Sequence, residues 1–136
     1  MREIMLIDDD EDYIRLMVTV LRDMQLEPIC IQTEAAALNL CFGQNDHQIN
    51  LVISDIQMPW FESEKIAKVL SDSGKLVGVP VILCSGVFSD AKHFDVEQVI
   101  KGYEQSLHIQ FMPKGNISLL RFQIREALKL RDSLVK

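Results

Sequence analysis

Aspartates stand at the ends of two short apolar runs in this sequence. Asp55 follows the run LVIS at residues 51–54, and Asp8 and Asp9 follow the run IMLI at residues 4–7. A carboxylate at the end of a buried strand costs free energy unless another group compensates its charge. If both runs are parallel strands of one sheet, their aspartates share an acidic pocket at its carboxyl edge. The expected occupant is a hard divalent cation, and the expected chemistry takes place on an aspartate.

Five alternating strand and helix patterns would position these carboxylates. Short apolar runs predict strands at residues 4–7, 27–31, 51–54, 80–84 and 109–112. Helical spacing predicts helices at residues 12–24, 33–42, 63–71 and 90–105, and a last one that begins at Asn116 or Ser118. Strands that are apolar along their whole length indicate a parallel sheet with helices on both faces. Ligands of such sheets bind beyond the carboxyl ends of the strands, where Ser85 and Lys114 also stand.

Polar and special residues next to these patterns predict where elements begin and end. Asp12 is the expected N-cap of the first helix and Thr33 that of the second, which we expect to end at Gly43. Pro28 inside the second strand pattern predicts an edge strand or the first residue of a strand. The last helix presents a broad apolar face, formed by Leu119, Leu120, Phe122, Ile124, Ala127, Leu128 and Leu130.

Length and composition indicate one globular domain over residues 1–136, with 48% hydrophobic and 25% charged residues. No apolar stretch approaches the roughly 20 residues that span a bilayer, and the N-terminus lacks the pattern of a signal peptide. We therefore expect a cytoplasmic protein with no membrane partner. The net charge of −6 argues against nucleic acid as a partner. The three cysteines lack zinc-ligand spacing, and no glycine-rich nucleotide-binding motif is present.

Four motifs resemble, in their order and types, the receiver domain of two-component response regulators, of the single-domain chemotaxis type. They stand at residues 4–10 (IMLIDDD), 51–59 (LVISDIQMP), 81–86 (VILCSG) and 111–114 (FMPK). With the five-unit pattern between them, they cover essentially the whole chain. The resemblance implies an α/β fold of the flavodoxin-like (βα)5 type, a doubly wound parallel sheet with strand order 2-1-3-4-5.

The same resemblance implies a phosphoacceptor site. Asp55 would take a phosphoryl group from a histidine-phosphorylated partner, which is a sensor histidine kinase or a histidine phosphotransfer protein. Asp8, Asp9, Asp55 and the backbone carbonyl of Gln57 would bind Mg²⁺. The chain would catalyse only its own phosphorylation and dephosphorylation, so we do not expect an enzyme that acts on a separate substrate.

Lys114, Ser85 and Phe111 complete what the resemblance implies. The Lys114 ammonium and the Ser85 hydroxyl would contact phosphoryl oxygens. Phosphorylation would draw Ser85 toward the phosphoryl group and change the packing of Phe111, which remodels a face formed by the last two helices and the last strand. That face would contact a downstream protein, which the sequence does not identify.

Three stretches depart from the family's pattern. The family usually has Lys-Pro, whereas here Pro113 precedes Lys114 and Gly115 follows it. We expect a trans Lys-Gly peptide, with Gly115 supplying unusual backbone angles. Trp60 and Phe61 stand in a loop where the family usually has a glycine. The stretch before Lys114 is several residues longer than in compact members of the family.

Two other functions stay open. A degenerate receiver would act only as a protein-binding module, but all five core side chains of the site are present. An aspartate-nucleophile phosphatase typically needs a second aspartate two residues after the nucleophile, and Gln57 stands there instead. Individually the residues also have ordinary explanations, since adjacent aspartates often belong to turns or caps and Phe111 can be a plain strand residue.

Overall fold

The computed structural model of this chain describes residues 2–43, 47–55, 62–85 and 100–134. For residues 62–64 and 85 it describes the backbone but not the side chains. The strands are Arg2–Ile7 (β1), Leu26–Ile31 (β2), Ile49–Asp55 (β3), Pro80–Ser85 (β4) and His108–Pro113 (β5). The helices are Glu11–Asp23 (α1), Glu34–Phe42 (α2), Glu62–Ser73 (α3) and Ile117–Ser133, the C-terminal helix. All strand pairs are parallel, and the sheet has the order β2-β1-β3-β4-β5. The predicted fold class and strand order are confirmed.

Both faces of the sheet are buried under helices. In β1, Met5 and Ile7 belong to the core that α2 and α3 cover, whereas Ile4 and Leu6 belong to the core that α1 and the C-terminal helix cover. Successive side chains of a strand point to opposite faces, so a strand covered on both sides requires apolar residues at every position. This requirement explains the continuous apolar runs of β1, β3 and β4.

Pro28 lies in β2, which is an edge strand of the sheet, as the sequence predicts. It stands in register with Ile4 of β1. Proline lacks the N–H that a central strand would need for a second ladder, so the edge position tolerates it.

The structure corrects the first predicted helix cap. Asp10, with non-helical backbone angles (φ −87, ψ 105), caps α1 by accepting hydrogen bonds from the backbone N–H groups of Asp12 and Tyr13. Asp12 lies inside the first turn instead, where its carboxylate is 3.8 Å from Arg15. Both positions carry aspartate, and helix boundaries inferred from sequence shift by one or two residues.

The other predicted caps are confirmed. Thr33 caps α2 by accepting from the N–H of Ala36, and Gly43 follows its last residue. Of the two candidates for the C-terminal helix, Asn116 is the cap, since its side chain accepts from the N–H of Leu119 at 2.9 Å.

The apolar face of the C-terminal helix is narrower than predicted. Leu120, Ile124, Ala127 and Leu128 are buried against the sheet, as expected. Phe122 and Leu130 are 54% and 40% exposed. Both lie on a part of the helix that the sheet does not cover, so their apolar type does not mark them as core.

The helix predicted at residues 90–105 is described only at its end. Residues 90–99 lie outside the described part, residues 100–102 are helical, and Tyr103 begins a turn. A Cβ atom added to Gly102 would lie 2.6 Å from Cβ of Ala67, so this end of the helix approaches α3 closely. Trp60 and Phe61 also lie outside the described residues.

None of the described helices has the length and apolar character to cross a membrane.

Candidate functional site

The register of the sheet brings the two acidic strand ends side by side. Ile7 is the last residue of β1 and pairs with Ser54 of β3, so the following residues, Asp8 and Asp55, are neighbours at the carboxyl edge. The backbone N–H of Asp8 donates to the carbonyl of Ile31 at 3.3 Å, which continues the β2 ladder by one residue. The backbone therefore fixes the separation of the two aspartates before any side-chain contact forms.

Three carboxylates converge at this edge. Asp8, Asp9 and Asp55 each offer an oxygen, and these oxygens all lie within 4.8 Å of one another. Asp8 and Asp55 are buried, with 1% and 4% exposure, whereas Asp9 is exposed. Buried carboxylates this close repel one another strongly unless a cation lies among them.

The cluster fits a hard divalent cation by its donor atoms. Asp8 Oδ1 accepts a hydrogen bond from the N–H of Asp10 at 2.9 Å. Asp8 Oδ2 is buried and, apart from an ion pair with Lys114, receives no hydrogen bond from the described residues. An oxygen with spare acceptor capacity and two further carboxylates, one of them exposed, are features that oxygen-preferring cations use.

Lys114 supplies the positive charge of the site. Its Nζ lies 2.9 Å from Asp8 Oδ2 and 3.3 Å from Asp55 Oδ2, and its side chain is 18% exposed. Burial alone lowers the pKa of Lys114, but its hydrogen bond to Asp8 and the charges of Asp55 and Asp8 outweigh burial and raise the pKa overall. The ammonium therefore stays charged at neutral pH.

The backbone after β5 aims Lys114 at the carboxylates. Gly115 has a φ of +100°, which residues with a Cβ rarely adopt, so the predicted role of this glycine is confirmed. No cis peptide bond occurs among the described residues, which include Lys114 and Gly115. The chain therefore turns at a glycine directly after the lysine.

Tyr13 belongs to the site, although the sequence did not point to it. It lies in the first turn of α1, and the Lys114 ammonium lies 4.4 Å from the centroid of its ring. Burial, and then the charges of Cys84, Asp8 and Asp55, raise the pKa of the phenol, so it stays neutral. One sequence signal was available. Tyr13 stands one helical turn before Met17, a buried residue of α1, and four residues after Asp9, so the sequence places it on the buried side of the helix near the acidic cluster.

Cys84 lies directly beside Asp55 at the end of β3. It pairs with Asp55 in the sheet register and is 1% exposed. Burial raises the pKa of its thiol to about 12; the charge of Lys114 opposes this shift, while Asp55 and Asp8 add to it. A protonated, buried thiol is a poor metal ligand and a poor nucleophile, so we assign the site's chemistry to the carboxylates.

Sequence relatives of the chain are response regulators. No protein-family model matches the chain. The two-component response regulators ARR10 and ARR12 of Arabidopsis thaliana are 29% and 28% identical to it over 99 residues, or 73% of this chain. The chain spans 16% and 15% of the lengths of these relatives.

Solved structures with a similar fold are receiver domains. Chemotaxis protein CheY4 of Vibrio cholerae has a TM-score of 0.73 and 18% identity, covering 94% of this chain and 99% of that one. A response regulator receiver domain protein from Clostridium thermocellum has a TM-score of 0.71 and 20% identity over 100% of both chains. The chain therefore has the fold of response-regulator receiver domains, and its sequence is similar to that of response regulators.

The structure describes the remaining predicted residues to different extents. Ser85 is the last residue of β4, in register with Pro113, so its backbone lies at the carboxyl edge. Phe111 lies on β5, 43% exposed, in register with Leu83. Gln57 and the side chain of Ser85 lie outside what the structure describes, so the parts predicted for them stay predictions.

Proposed function

We propose that this receiver domain is a Mg²⁺-dependent phosphoacceptor that takes a phosphoryl group on Asp55 from a phosphohistidine of a partner protein. One observation carries the proposal. The oxygens of Asp8, Asp9 and Asp55 lie within 4.8 Å of one another, and the Lys114 ammonium lies 2.9 Å from Asp8 and 3.3 Å from Asp55. Phosphoryl transfer depends mainly on positioning and charge neutralisation, and this cluster supplies both.

The transfer step is a displacement at phosphorus. A carboxylate oxygen of Asp55 forms the new P–O bond, and the P–N bond to the partner's imidazole breaks with its electron pair on nitrogen. The products are an aspartyl phosphate and a free histidine. The burial of Asp55 at the end of a rigid central strand holds the nucleophile in one orientation, which lowers the entropic cost of the reaction.

The other site residues divide the task of stabilising charge. Mg²⁺, held by Asp8, Asp9, Asp55 and the carbonyl of Gln57, would neutralise charge on the phosphoryl oxygens. Lys114 contacts a phosphoryl oxygen as a point charge, which its short distance to Asp55 supports. The hydroxyl of Ser85 donates to another phosphoryl oxygen, as its position at the end of β4 allows.

Phosphorylation then alters a surface for a partner. Ser85 responds to the new charge, and Phe111 changes its packing on β5, where it is 43% exposed. A half-exposed aromatic side chain can change its packing at a small cost in free energy, because it is partly in contact with solvent before and after the change. The donor is a sensor histidine kinase or a histidine phosphotransfer protein, and the receptor of the altered face is a protein. We propose that the domain acts in the cytoplasm and turns over no separate substrate.

Fluorescence of Trp60 tests the proposal, because it is the single tryptophan and stands five residues after Asp55. The protein is titrated first with Mg²⁺ and then with beryllium fluoride or a small phosphodonor at saturating Mg²⁺. We expect two successive changes, the second lost in Asp55→Asn. Asp72→Asn, the same substitution at an exposed position of α3, is the matched control and should keep both changes.

Two outcomes would overturn the proposal. A response to Mg²⁺ with no response to beryllium fluoride or phosphodonor would assign the domain to protein binding alone. Sustained hydrolysis of small phosphate esters, lost in Asp55→Asn, would assign it to the aspartate-nucleophile phosphatases.

A further inference from the structure

The Lys114 ammonium is held on two sides by groups that both attract a cation. On one side lie the carboxylates of Asp8 and Asp55, at 2.9 and 3.3 Å. On another lies the face of the Tyr13 ring, with its centroid 4.4 Å from Nζ. The negative face of an aromatic ring attracts a cation within about 6 Å of its centroid, and more strongly where water is partly excluded.

Lys114 and Tyr13 belong to separate elements of the fold. Lys114 stands after β5, whereas Tyr13 stands in the first turn of α1, whose N-cap is Asp10. The Tyr13 side chain also packs against the core that α1 and the C-terminal helix cover, so its ring is fixed by neighbours other than Lys114. Contact with a fixed ring restricts the rotamers of the Lys114 side chain in advance. Less conformational entropy is then lost when the ammonium binds a phosphoryl oxygen.

We propose that Tyr13 is a positioning residue for Lys114. Its ring restricts the ammonium to a position within reach of both Asp8 and Asp55, so that Lys114 is already oriented toward the oxygens that a phosphoryl group on Asp55 would present. This inference rests on the proposed phosphoacceptor function.

The ring face, rather than the hydroxyl, carries this role. Burial and the nearby carboxylates keep the phenol protonated, so it adds no negative charge to the site. Tyr13→Phe retains the aromatic face and should behave like the wild type. Tyr13→Leu keeps an apolar side chain but has no aromatic face, so it should release Lys114. Tyr13→Met is an alternative of similar bulk if the leucine variant does not fold.

The first test is spectroscopic and needs no phosphoryl group. In protein labelled with ¹³C-lysine, the Lys114 Hε signal is assigned by its absence from Lys114→Ala. We expect this signal to be shifted upfield by the ring in the wild type and in Tyr13→Phe, and to return to the position of exposed lysines in Tyr13→Leu. An unshifted signal in the wild type would overturn the contact itself.

The second test measures beryllium fluoride affinity at saturating Mg²⁺ in a double-mutant cycle. Tyr13→Leu should weaken affinity by about three- to tenfold in the wild-type background, and Tyr13→Phe should restore it. In the Lys114→Ala background the same leucine substitution should have no further effect. An equal loss in both backgrounds would mean a merely structural role and would overturn the inference.

The two tests separate this inference from the proposed function. If the wild type binds no beryllium fluoride while the Lys114 signal is ring-shifted, the phosphoacceptor function fails and the contact stands. If it binds beryllium fluoride and the cycle shows no coupling between Tyr13 and Lys114, the function stands and the positioning role fails.

Discussion

The ammonium of Lys114 lies 2.9 Å from Oδ2 of Asp8, an oxygen with no other partner among the described residues. Asp8 is also one of the three residues whose carboxylate oxygens converge as candidate ligands of a divalent cation. Two cations cannot both approach one oxygen closely without repelling each other. The lysine and the metal are therefore expected to compete partly for Asp8.

This competition predicts that Lys114→Ala raises the affinity for Mg²⁺. Removing the ammonium takes away its ion pairs with Asp8 Oδ2 and Asp55 Oδ2, so the metal no longer competes with a positive charge from residue 114. We expect affinity to increase by up to about tenfold, or roughly 1.4 kcal/mol, as measured by isothermal titration calorimetry. Lys68→Ala, at an exposed position of α3, should leave affinity unchanged. A lower affinity in Lys114→Ala would show that the lysine supports the metal site.

The cap of α1 predicts a difference between two aspartates. Asp10→Ala removes the acceptor for two backbone N–H groups and should lower the free energy of unfolding by about 1 kcal/mol. Asp12→Ala loses only a long ion pair with exposed Arg15 and should lower it by less than about 0.5 kcal/mol. Urea unfolding of both variants measures the difference, and equal losses would contradict the assignment of Asp10 as the cap.

The close approach of Gly102 to α3 predicts a strong effect of one added methyl group. Gly102→Ala places a Cβ 2.6 Å from Cβ of Ala67, and overpacking of this kind typically costs about 1–3 kcal/mol. Ala67→Gly removes the opposing methyl group. The double variant should be destabilised by less than the sum of the single variants in thermal or urea unfolding. Additive losses would mean that the two residues are not in contact.

The three cysteines predict an order of chemical reactivity. Cys30 is exposed on edge strand β2, whereas Cys41 and Cys84 are buried. The thiolate is the reactive form, and a pKa of about 12 leaves about one Cys84 thiol in ten thousand ionised at pH 8. One thiol should therefore react rapidly with dithiodipyridine in the native protein and three in urea. Cys30→Ala should abolish the rapid phase; its persistence would show that a buried thiol is accessible.

Much of the site could be predicted because it depends on strand ends. The apolar runs before Asp8 and Asp55 indicate buried parallel strands. The carboxyl ends of such strands lie at one edge of the sheet, independently of the conformation of the loops. Gly115 could also be predicted, since the order Pro113-Lys114-Gly115 leaves the glycine as the residue able to turn the chain.

The rest depends on contacts that the sequence does not encode locally. Tyr13 was missed because its ring meets Lys114 only in the folded protein, where α1 packs against the sheet that contains β5. Phe122 and Leu130 were included in the apolar face because of their type, but the sheet covers a narrower strip of the C-terminal helix than its apolar residues span. Asp12 was preferred to Asp10 because either aspartate satisfies the sequence pattern of a cap.

The most direct measurement of the central claim is the mass of the acceptor peptide after treatment with a small phosphodonor. The acyl phosphate is trapped by borohydride reduction, with and without Mg²⁺, and the modified residue is located by fragmentation. We predict one modification, on Asp55, that requires Mg²⁺ and is strongly reduced in Asp8→Asn. Modification of another residue, or modification of Asp55 that is indifferent to Mg²⁺ and to Asp8, would contradict a metal-dependent phosphoacceptor built from these carboxylates.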